Sequence, residues 1–368
     1  MTGVSVTRSG PSLVLRLGRA SVLARPRGLA VDTVLVGFVA ALGGLSLAYG
    51  TTWLPLADVV GGLTATADEA TTLIVREFRL PRVLVGLLVG LALGVSGALV
   101  QAVTRNPIAA PDVIGVTAGA SAGAVFVLLA FGGTAVGYGG PSAGLAEVGV
   151  PTGAVVGAFA AALLVLSAGG TRTSGGRLSF SAQRVVLAGI VCHAAFIGLV
   201  HWGLAAADVD QATKAKIWLV GSLHGRGWEH VSGVLLALGL LLPLALALCG
   251  KLNTLAIGES SAATLGVGVT RTQLGLLTIA FALTGTAAAA AGPINFVALL
   301  APQIARKLVR GPGVPLVASA LTGAGLLLAA DFIARIVIPG SELPAGAVTA
   351  LVGAPFLVLL VVRMGGRR

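Results

Sequence analysis

The residues best able to do chemistry in this chain are arginines and acids near the ends of apolar segments. Arg79 and Arg82 lie three residues apart, and Asp331 lies four residues before Arg335, a spacing that places both side chains on one face of a helix. A guanidinium group binds a carboxylate through two parallel hydrogen bonds and stays charged when it is partly buried. Asp331 and Arg335 are therefore predicted to form an ion pair on one helix face.

The sequence offers no residues for catalysis or metal binding. It contains no Gly-x-Ser-x-Gly, no His-Glu-x-x-His and no phosphate loop of the form Gly-x-x-x-x-Gly-Lys-Ser/Thr. His193 and His201 stand about 80° apart around a helix, and no acid lies in the same segment to complete a metal site. Cys192 and Cys249 form no Cys-x-x-Cys pattern. We expect no catalytic residue, no metal and no cofactor in this chain.

The composition places the chain in a membrane. Of its 368 residues 56% are hydrophobic and 10% are charged, whereas a soluble domain has roughly 25% charged residues. The net charge of +11 is spread between long apolar stretches rather than gathered in a patch, so nucleic-acid binding is not expected. The 54 glycines are typical of helices that pack closely in lipid. The prediction is an all-α, polytopic membrane protein.

The elements that position the arginines and acids are about ten membrane spans, because a span needs about 20 mostly apolar residues. The tenth window carries Pro293 and Pro302 and must be buried against other helices. A basic arm at 1–28 precedes a single membrane domain at 29–368. The predicted windows are 29–50, 83–104, 113–132, 149–168, 185–203, 231–250, 272–291, 293–309, 313–336 and 344–363.

Most Lys and Arg residues fall on one side of these spans when the N-terminus is placed in the cytoplasm. An even number of spans then returns the basic C-terminus to the same side. We predict that both termini are cytoplasmic, which puts Arg79, Arg82 and Arg335 at the outer surface and the loop before residue 272 at the inner one.

The second and third windows, with the loop between them, carry the strongest local pattern. Ser96 and Gln101 are polar residues inside a span, and such residues face either a water-filled path or a partner helix through an interhelical hydrogen bond. Pro107 and Pro111 stop the helix and shape a loop. Asn106 and Pro107 join Ser96 and Gln101 as candidates for lining a path or for packing. Glycines at every fourth residue predict close helix contacts; they are Gly86, Gly90 and Gly94, and Gly115, Gly119 and Gly123.

Four stretches in order resemble the FecCD-type permease family, the membrane subunits of binding-protein-dependent ABC importers for ferric siderophores, haem and vitamin B12. They begin with the Arg-Leu-Pro-Arg segment at 79–119. The others are 217–230 (IWLVGSLHGRGWEH), 292–306 (GPINFVALLAPQIAR) and 330–356, which contains Glu342-Leu343-Pro344. Gln303 stands where the family usually has histidine, and 181–184 lacks the family's usual small polar pair at a cytoplasmic gate.

The resemblance implies the type II ABC importer permease fold and a set of partners. These are a second permease subunit, identical or a sister; two ATPase subunits that hold ATP and Mg; and a periplasmic or lipid-anchored siderophore-binding protein. It assigns docking of that binding protein to Arg79, Arg82 and Arg335. The alternatives are snorkelling to the membrane interface and pairing within the chain, with Glu77, Asp331 or Glu342.

The resemblance also assigns coupling to the ATPases to a cytoplasmic loop at about 253–270, with Glu259, Ala262 and Gly266 as the key residues. Gly258, Gly266 and Gly268 punctuate two short helical runs there. The alternative is a solvated loop between spans.

The expected substrate is a ferric siderophore, with vitamin B12 second and haem third. The stretch at 221–228 (GSLHGRGW) looks more like that of permeases for catecholate siderophores such as enterobactin than that of vitamin B12 permeases. A secondary transporter is the alternative from another class, although it usually needs ionisable residues near the bilayer midplane, and here the acids cluster at span ends.

Overall fold

The computed structural model describes residues 5–9, 12–17, 20–50, 53–130, 143–172, 178–338 and 342–365. This part of the chain is almost entirely helical. Its helices are α1 (Pro26–Ala48), α2 (Leu56–Thr64), α3 (Glu69–Leu73), α4 (Leu80–Thr104), α5 (Val116–Ala130), α6 (Ala143–Gly169), α7 (Ala182–Ala206), α8 (Val209–Val220), α9 (Trp228–Ala247), α10 (Cys249–Ile257), α11 (Glu259–Thr264), α12 (Val269–Ala291), α13 (Val297–Val309), α14 (Leu316–Ile336) and α15 (Ala345–Gly365).

The ten predicted windows are confirmed as ten helices, which are all of the above except α2, α3, α8, α10 and α11. Seven of the membrane helices are long and apolar enough to cross a bilayer, and α5 and α15 are shorter apolar helices. The weak tenth window forms α13, which starts after Pro293 and contains Pro302. A π-helical turn, Ile74–Arg79, leads from α3 into α4.

Short strands occur in two places where none was predicted. In the N-terminal arm, β1 (Ser5–Ser9), β2 (Ser12–Leu17) and β3 (Ala20–Ala24) pair antiparallel in that order. Between α6 and α7, β4 (Gly170–Arg172) pairs with β5 (Leu178–Phe180). In β2, leucines at every second residue are typical of a strand. The prediction for this arm used only its basic charge and missed that pattern.

Helix α4 forms the centre of the molecule. In its most apolar window 83% of the residues are buried, against 11% in α1 and 17% in α7. It packs against α14, α12, α13 and α9. Helices α1, α7 and α9 expose large apolar side chains, as helices in contact with lipid do.

Glycines bring the helices around α4 to backbone contact, as their spacing predicted. A Cβ atom added at Gly90 would lie 2.5 Å from the Cα of Ala324 in α14, and one added at Gly94 would overlap the carbonyl oxygen of Ser319. Because two helix backbones touch there, α4 and α14 are held as one unit. The same kind of contact joins α5 to α6, through Gly119, Gly123, Gly153 and Gly157.

Candidate functional site

Two of the three predicted docking arginines share one buried carboxylate. It lies where α4 begins and α14 ends, on the side of the protein that is predicted to be the outer one. Asp331 accepts from Arg82 at 2.9 Å and from Arg335 at 2.6 Å. Arg82 also binds Glu342 at 2.8 Å. The i,i+4 pairing of Asp331 with Arg335 is confirmed, and Arg82 is paired within the chain as well.

Arg79 and Arg335 are both bound to the last turn of α1, whose final carbonyl groups have no partner within the helix. Arg79 donates to the carbonyl oxygens of Leu47 at 2.7 Å and Ala48 at 2.9 Å. Arg335 donates to those of Ser46 at 3.1 Å and Tyr49 at 3.0 Å. The structure thus brings the three arginines to one place and uses each of them to join helices.

The guanidinium groups themselves present little surface, since the side chain of Arg82 is 12% exposed and that of Arg335 is 5% exposed. The accessible members of this network are Glu342, which is 28% exposed, and His224, which is 71% exposed and donates through Nδ1 to Glu342 at 2.8 Å. A role of the arginines in docking stays a prediction, and it requires that an incoming group reach them past Glu342.

Glu342 precedes α15 and is the acid of this network that lies outside the spans. Burial acts to raise its pKa, but the positive charge of Arg82 and the hydrogen bonds from Arg82 and His224 outweigh that effect and lower the pKa below its usual value. Glu342 therefore carries its charge at neutral pH and is the second carboxylate, beside Asp331, that binds Arg82.

At the other end of α4, Gln101 connects α4 to α13. Its side-chain nitrogen donates to the carbonyl oxygen of Leu299 at 3.0 Å. Its side-chain oxygen accepts from Gln303 at 3.0 Å and from Arg306. Gln303, where the family usually has histidine, also donates to the carbonyl oxygen of Pro107 at 2.6 Å. Gln101 thus makes the interhelical hydrogen bonds that were the alternative to a path-lining role.

Ser96 is fully buried and also makes an interhelical contact. Its hydroxyl donates to the carbonyl oxygen of Ala280 in α12 at 2.6 Å and lies 2.7 Å from the hydroxyl of Thr284. Ser96 therefore joins α4 to α12 within the core.

The loop after α4 turns through Asn106 and returns a carboxylate into the protein. The side chain of Asn106 accepts from the backbone N–H of Ile108 at 3.1 Å, which forms an Asx turn. Further on, Asp112 accepts from the backbone N–H of Phe296 at 3.1 Å, just before α13. His193 Nδ1 lies 3.1 Å from the backbone carbonyl oxygen of Asp112.

Asp112 lies beside the N-terminal end of α13, where Phe296 precedes the helix. Phe296 precedes 13 residues of α13, so about 20 Å of helix separates it from the other end. Oδ1 of Asp112 is buried and has no hydrogen-bond partner among the described residues. This carboxylate joins the loop after α4 to α13.

The predicted coupling segment forms the two short helices α10 and α11. Gly258 separates them with φ +151°, and Gly266 ends α11 with φ +78°. Val267 N–H binds the carbonyl oxygen of Ala262 at 3.0 Å and Gly266 N–H binds that of Ala263 at 3.0 Å, the hydrogen bonds of a Schellman helix end. The predicted helical pair is thus confirmed as structure, and glycine at 266 suits a left-handed backbone.

The three predicted coupling residues have different positions in this pair. Ala262 is fully buried. Glu259 is exposed at the start of α11, where its Oε1 accepts from Gln273 at 3.1 Å and lies 3.5 Å from Arg105 Nη2. Gly266 has no heavy atom within 4 Å of where a Cβ would be.

A comparison with family models matches the FecCD transport family over residues 38–363. The chain belongs to the FecCD transport family.

Curated relatives agree with this assignment. The ferric enterobactin permease FepD of Escherichia coli K12 is 39% identical over 92% of this chain and 96% of its own length. The Fe(3+) dicitrate permease FecD of the same strain is 39% identical over 79% of this chain and 86% of its own length. The cobalamin permease BtuC of Halobacterium salinarum is 37% identical over 80% and 74% respectively.

A solved structure shows the same fold. An inward-facing conformation of a metal-chelate type ABC transporter superposes with a TM-score of 0.75 and 26% identity, covering 91% of this chain and 99% of that one. This FecCD chain is therefore a multi-pass membrane subunit of an ABC transporter, and ATP hydrolysis is not its own activity.

Several residues of these contacts were not predicted as site residues, namely Arg105, Gln273, Arg306 and Asp112. Gln273 binds Glu259, 14 residues away. The others bind partners at least 150 residues away, such as Leu255 for Arg105 or Phe296 for Asp112. Asp112 alone had a local signal in the sequence as a site residue, since it is an acid that directly follows a proline in the loop after α4.

Proposed function

We propose that this chain is the permease subunit of a binding-protein-dependent importer of a ferric siderophore, of the catecholate type. The observation that carries the proposal is the family match along nearly the whole chain, with relatives named for ferric enterobactin and ferric dicitrate. Their identities to this chain are equal, so the catecholate assignment depends on the stretch at 221–228. Vitamin B12 is the second candidate, because a relative of similar identity is named for cobalamin, and haem is the third.

The proposed mechanism is alternating access powered by two ATPase subunits, which hold ATP and Mg. A second permease, identical or a sister, completes the path, and the exposed apolar faces of α7 and α9 offer surface for lipid or for such a subunit. The side chains of Ile257, at the end of α10, and Leu265, directly after α11, are 75% and 69% exposed. Apolar side chains displayed on short helices outside the spans support docking to the ATPase there, with Glu259, Ala262 and Gly266 as coupling residues.

On the outer side, we assign docking of a periplasmic or lipid-anchored siderophore-binding protein to Arg79, Arg82 and Arg335. An acidic side chain from that protein would replace Glu342 on Arg82, since Glu342 is the more exposed of the two acids that Arg82 binds. We propose that both termini lie in the cytoplasm and the protein in the cytoplasmic membrane, and the distribution of Lys and Arg supports this.

Uptake in the source cell tests the substrate. Radioactive iron is supplied as a ferric catecholate siderophore or as ferric citrate, and labelled vitamin B12 in parallel, to cells with and without this gene. We expect loss of uptake for the ferric catecholate alone, with recovery when the gene is restored. Loss of vitamin B12 uptake alone would overturn the substrate and leave the transporter class in place.

A further inference from the structure

The inner end of α4 lies between the coupling helices and α13, and polar side chains bind it to both. We call these contacts the inner joint, and its members are Gln101, Arg105, Glu259, Gln273, Gln303 and Arg306.

On the coupling side, the joint centres on Arg105, the residue that ends α4. Arg105 has a left-handed backbone with φ +50°. Its Nη2 donates to the carbonyl oxygen of Leu255 in α10 at 3.1 Å and lies 3.5 Å from Oε1 of Glu259 in α11. The same Oε1 accepts from Gln273 at the start of α12. Both coupling helices therefore contact the end of α4 through one side chain.

Helix α13 binds the chain both before and after Arg105. Gln101 lies one helical turn before Arg105 and binds Gln303 and Arg306. Two residues after Arg105, the carbonyl oxygen of Pro107 accepts from Gln303. A displacement of Arg105 must therefore displace α13 or break these bonds.

The rest of α4 is packed so that it moves with its neighbours. Gly94 contacts the backbone of α14, and a Cβ atom at Gly97 would overlap the carbonyl oxygen of Ala298 in α13. Backbones in contact leave no room for one helix to slide past another without repacking. Force applied at Arg105 would thus act on α4, α13 and α14 together.

We propose that the ion pair of Arg105 with Glu259 is the contact that transmits movement of the coupling helices to α4 and α13. This inference rests on the proposed function, because it requires that α10 and α11 respond to an ATPase. The two side chains are 42% and 46% exposed, and exposed ion pairs add little to the stability of a fold. Removing the pair should therefore spare the structure and affect transport.

The test uses the permease purified with its ATPase and reconstituted in liposomes with its binding protein. Uptake of a radioactive ferric catecholate siderophore and ATP hydrolysis are measured together. The variants are Arg105→Asn, since asparagine tolerates the left-handed backbone, Glu259→Gln, and the charge exchange Arg105→Glu with Glu259→Arg. The matched control is Arg271→Asn, which removes an exposed arginine from the start of α12.

Each single variant is expected to lower uptake per ATP hydrolysed by at least about fivefold, with unchanged thermal stability and unchanged recovery of ATPase subunits. The charge exchange should restore at least half of the wild-type ratio, and the control should match wild type. Wild-type uptake by either single variant, loss of the ATPase from the complex, or failure of the exchange would overturn the inference. No ATP-dependent uptake by the wild-type complex would instead overturn the proposed function.

Discussion

The buried carboxylate of Asp331 should be one of the most important single groups for the stability of this protein. Asp331 is 2% exposed and lies between Arg82 and Arg335, which are 12% and 5% exposed. Asp331→Asn keeps the size and shape of the side chain but removes its charge. The buried charges of Arg82 and Arg335 then lose the carboxylate that balances them. Arg335 has no other carboxylate within 4.0 Å among the described residues.

The expected loss follows from that burial. Removing one partner of a buried ion pair costs about 3–5 kcal/mol, because the remaining charge is left in a low-dielectric site. An unfolding entropy of about 2.1 cal/mol/K per residue gives roughly 0.8 kcal/mol/K for 368 residues. The melting temperature should therefore fall by about 4–6 °C.

Thermal unfolding of the purified protein in detergent, followed by tryptophan fluorescence, measures this effect. Glu342→Gln is the matched control, since it removes an acid that is 28% exposed and leaves Arg82 bound to Asp331. Its expected cost is about 0–1 kcal/mol, or roughly 1 °C. Equal shifts for the two variants, or an unchanged melting temperature for Asp331→Asn, would show that the buried charge of Asp331 does not stabilise the fold.

Three further predictions use the same melting assay. Gly94→Ala should lower the free energy of unfolding by about 1–3 kcal/mol, because its Cβ would overlap a backbone carbonyl of α14. Gly44→Ala, whose Cβ would have no atom within 4 Å, should cost nothing. Equal losses of stability would contradict the contact. Because the pKa of Glu342 is lowered on folding, the stability that its charge contributes is complete above about pH 4.3 and disappears as the pH falls through the lowered pKa. The melting temperature of the wild type should therefore fall more steeply in acid than that of Glu342→Gln. Parallel curves of melting temperature against pH would disprove this. Asp112→Asn keeps an acceptor for the N–H of Phe296, but Asp112→Ala leaves that donor unpaired at a cost of about 1–3 kcal/mol; identical melting of the two variants would count against the contact.

The membrane helices could be predicted closely because a span is defined by its own apolar residues. The predicted and observed ends differ by no more than three residues, except at the starts of α6 and α13. The short helices α2, α3 and α8 and the N-terminal strands were not predicted. Elements of that length gain their stability from packing and pairing, so their own residues carry a weak signal.

The site was predictable only where its contacts are local in sequence. The pair Asp331 and Arg335 follows from a four-residue spacing, and glycines after short helical runs predicted α10 and α11. By contrast, Gln101 and Gln303 are separated by 202 residues, and nothing near Arg105 in the sequence indicates Glu259. Contacts of this kind depend on how the helices are arranged, which the sequence of each helix does not specify.

The most direct test of the account is uptake by liposomes that contain this permease, its ATPase and its binding protein. A radioactive ferric catecholate siderophore is supplied on the binding-protein side, either with ATP and Mg on the ATPase side or with a proton gradient and no ATP. We predict uptake that requires ATP and the binding protein and that the gradient does not support. Uptake driven by the gradient alone would identify a secondary transporter and overturn ATP-driven import.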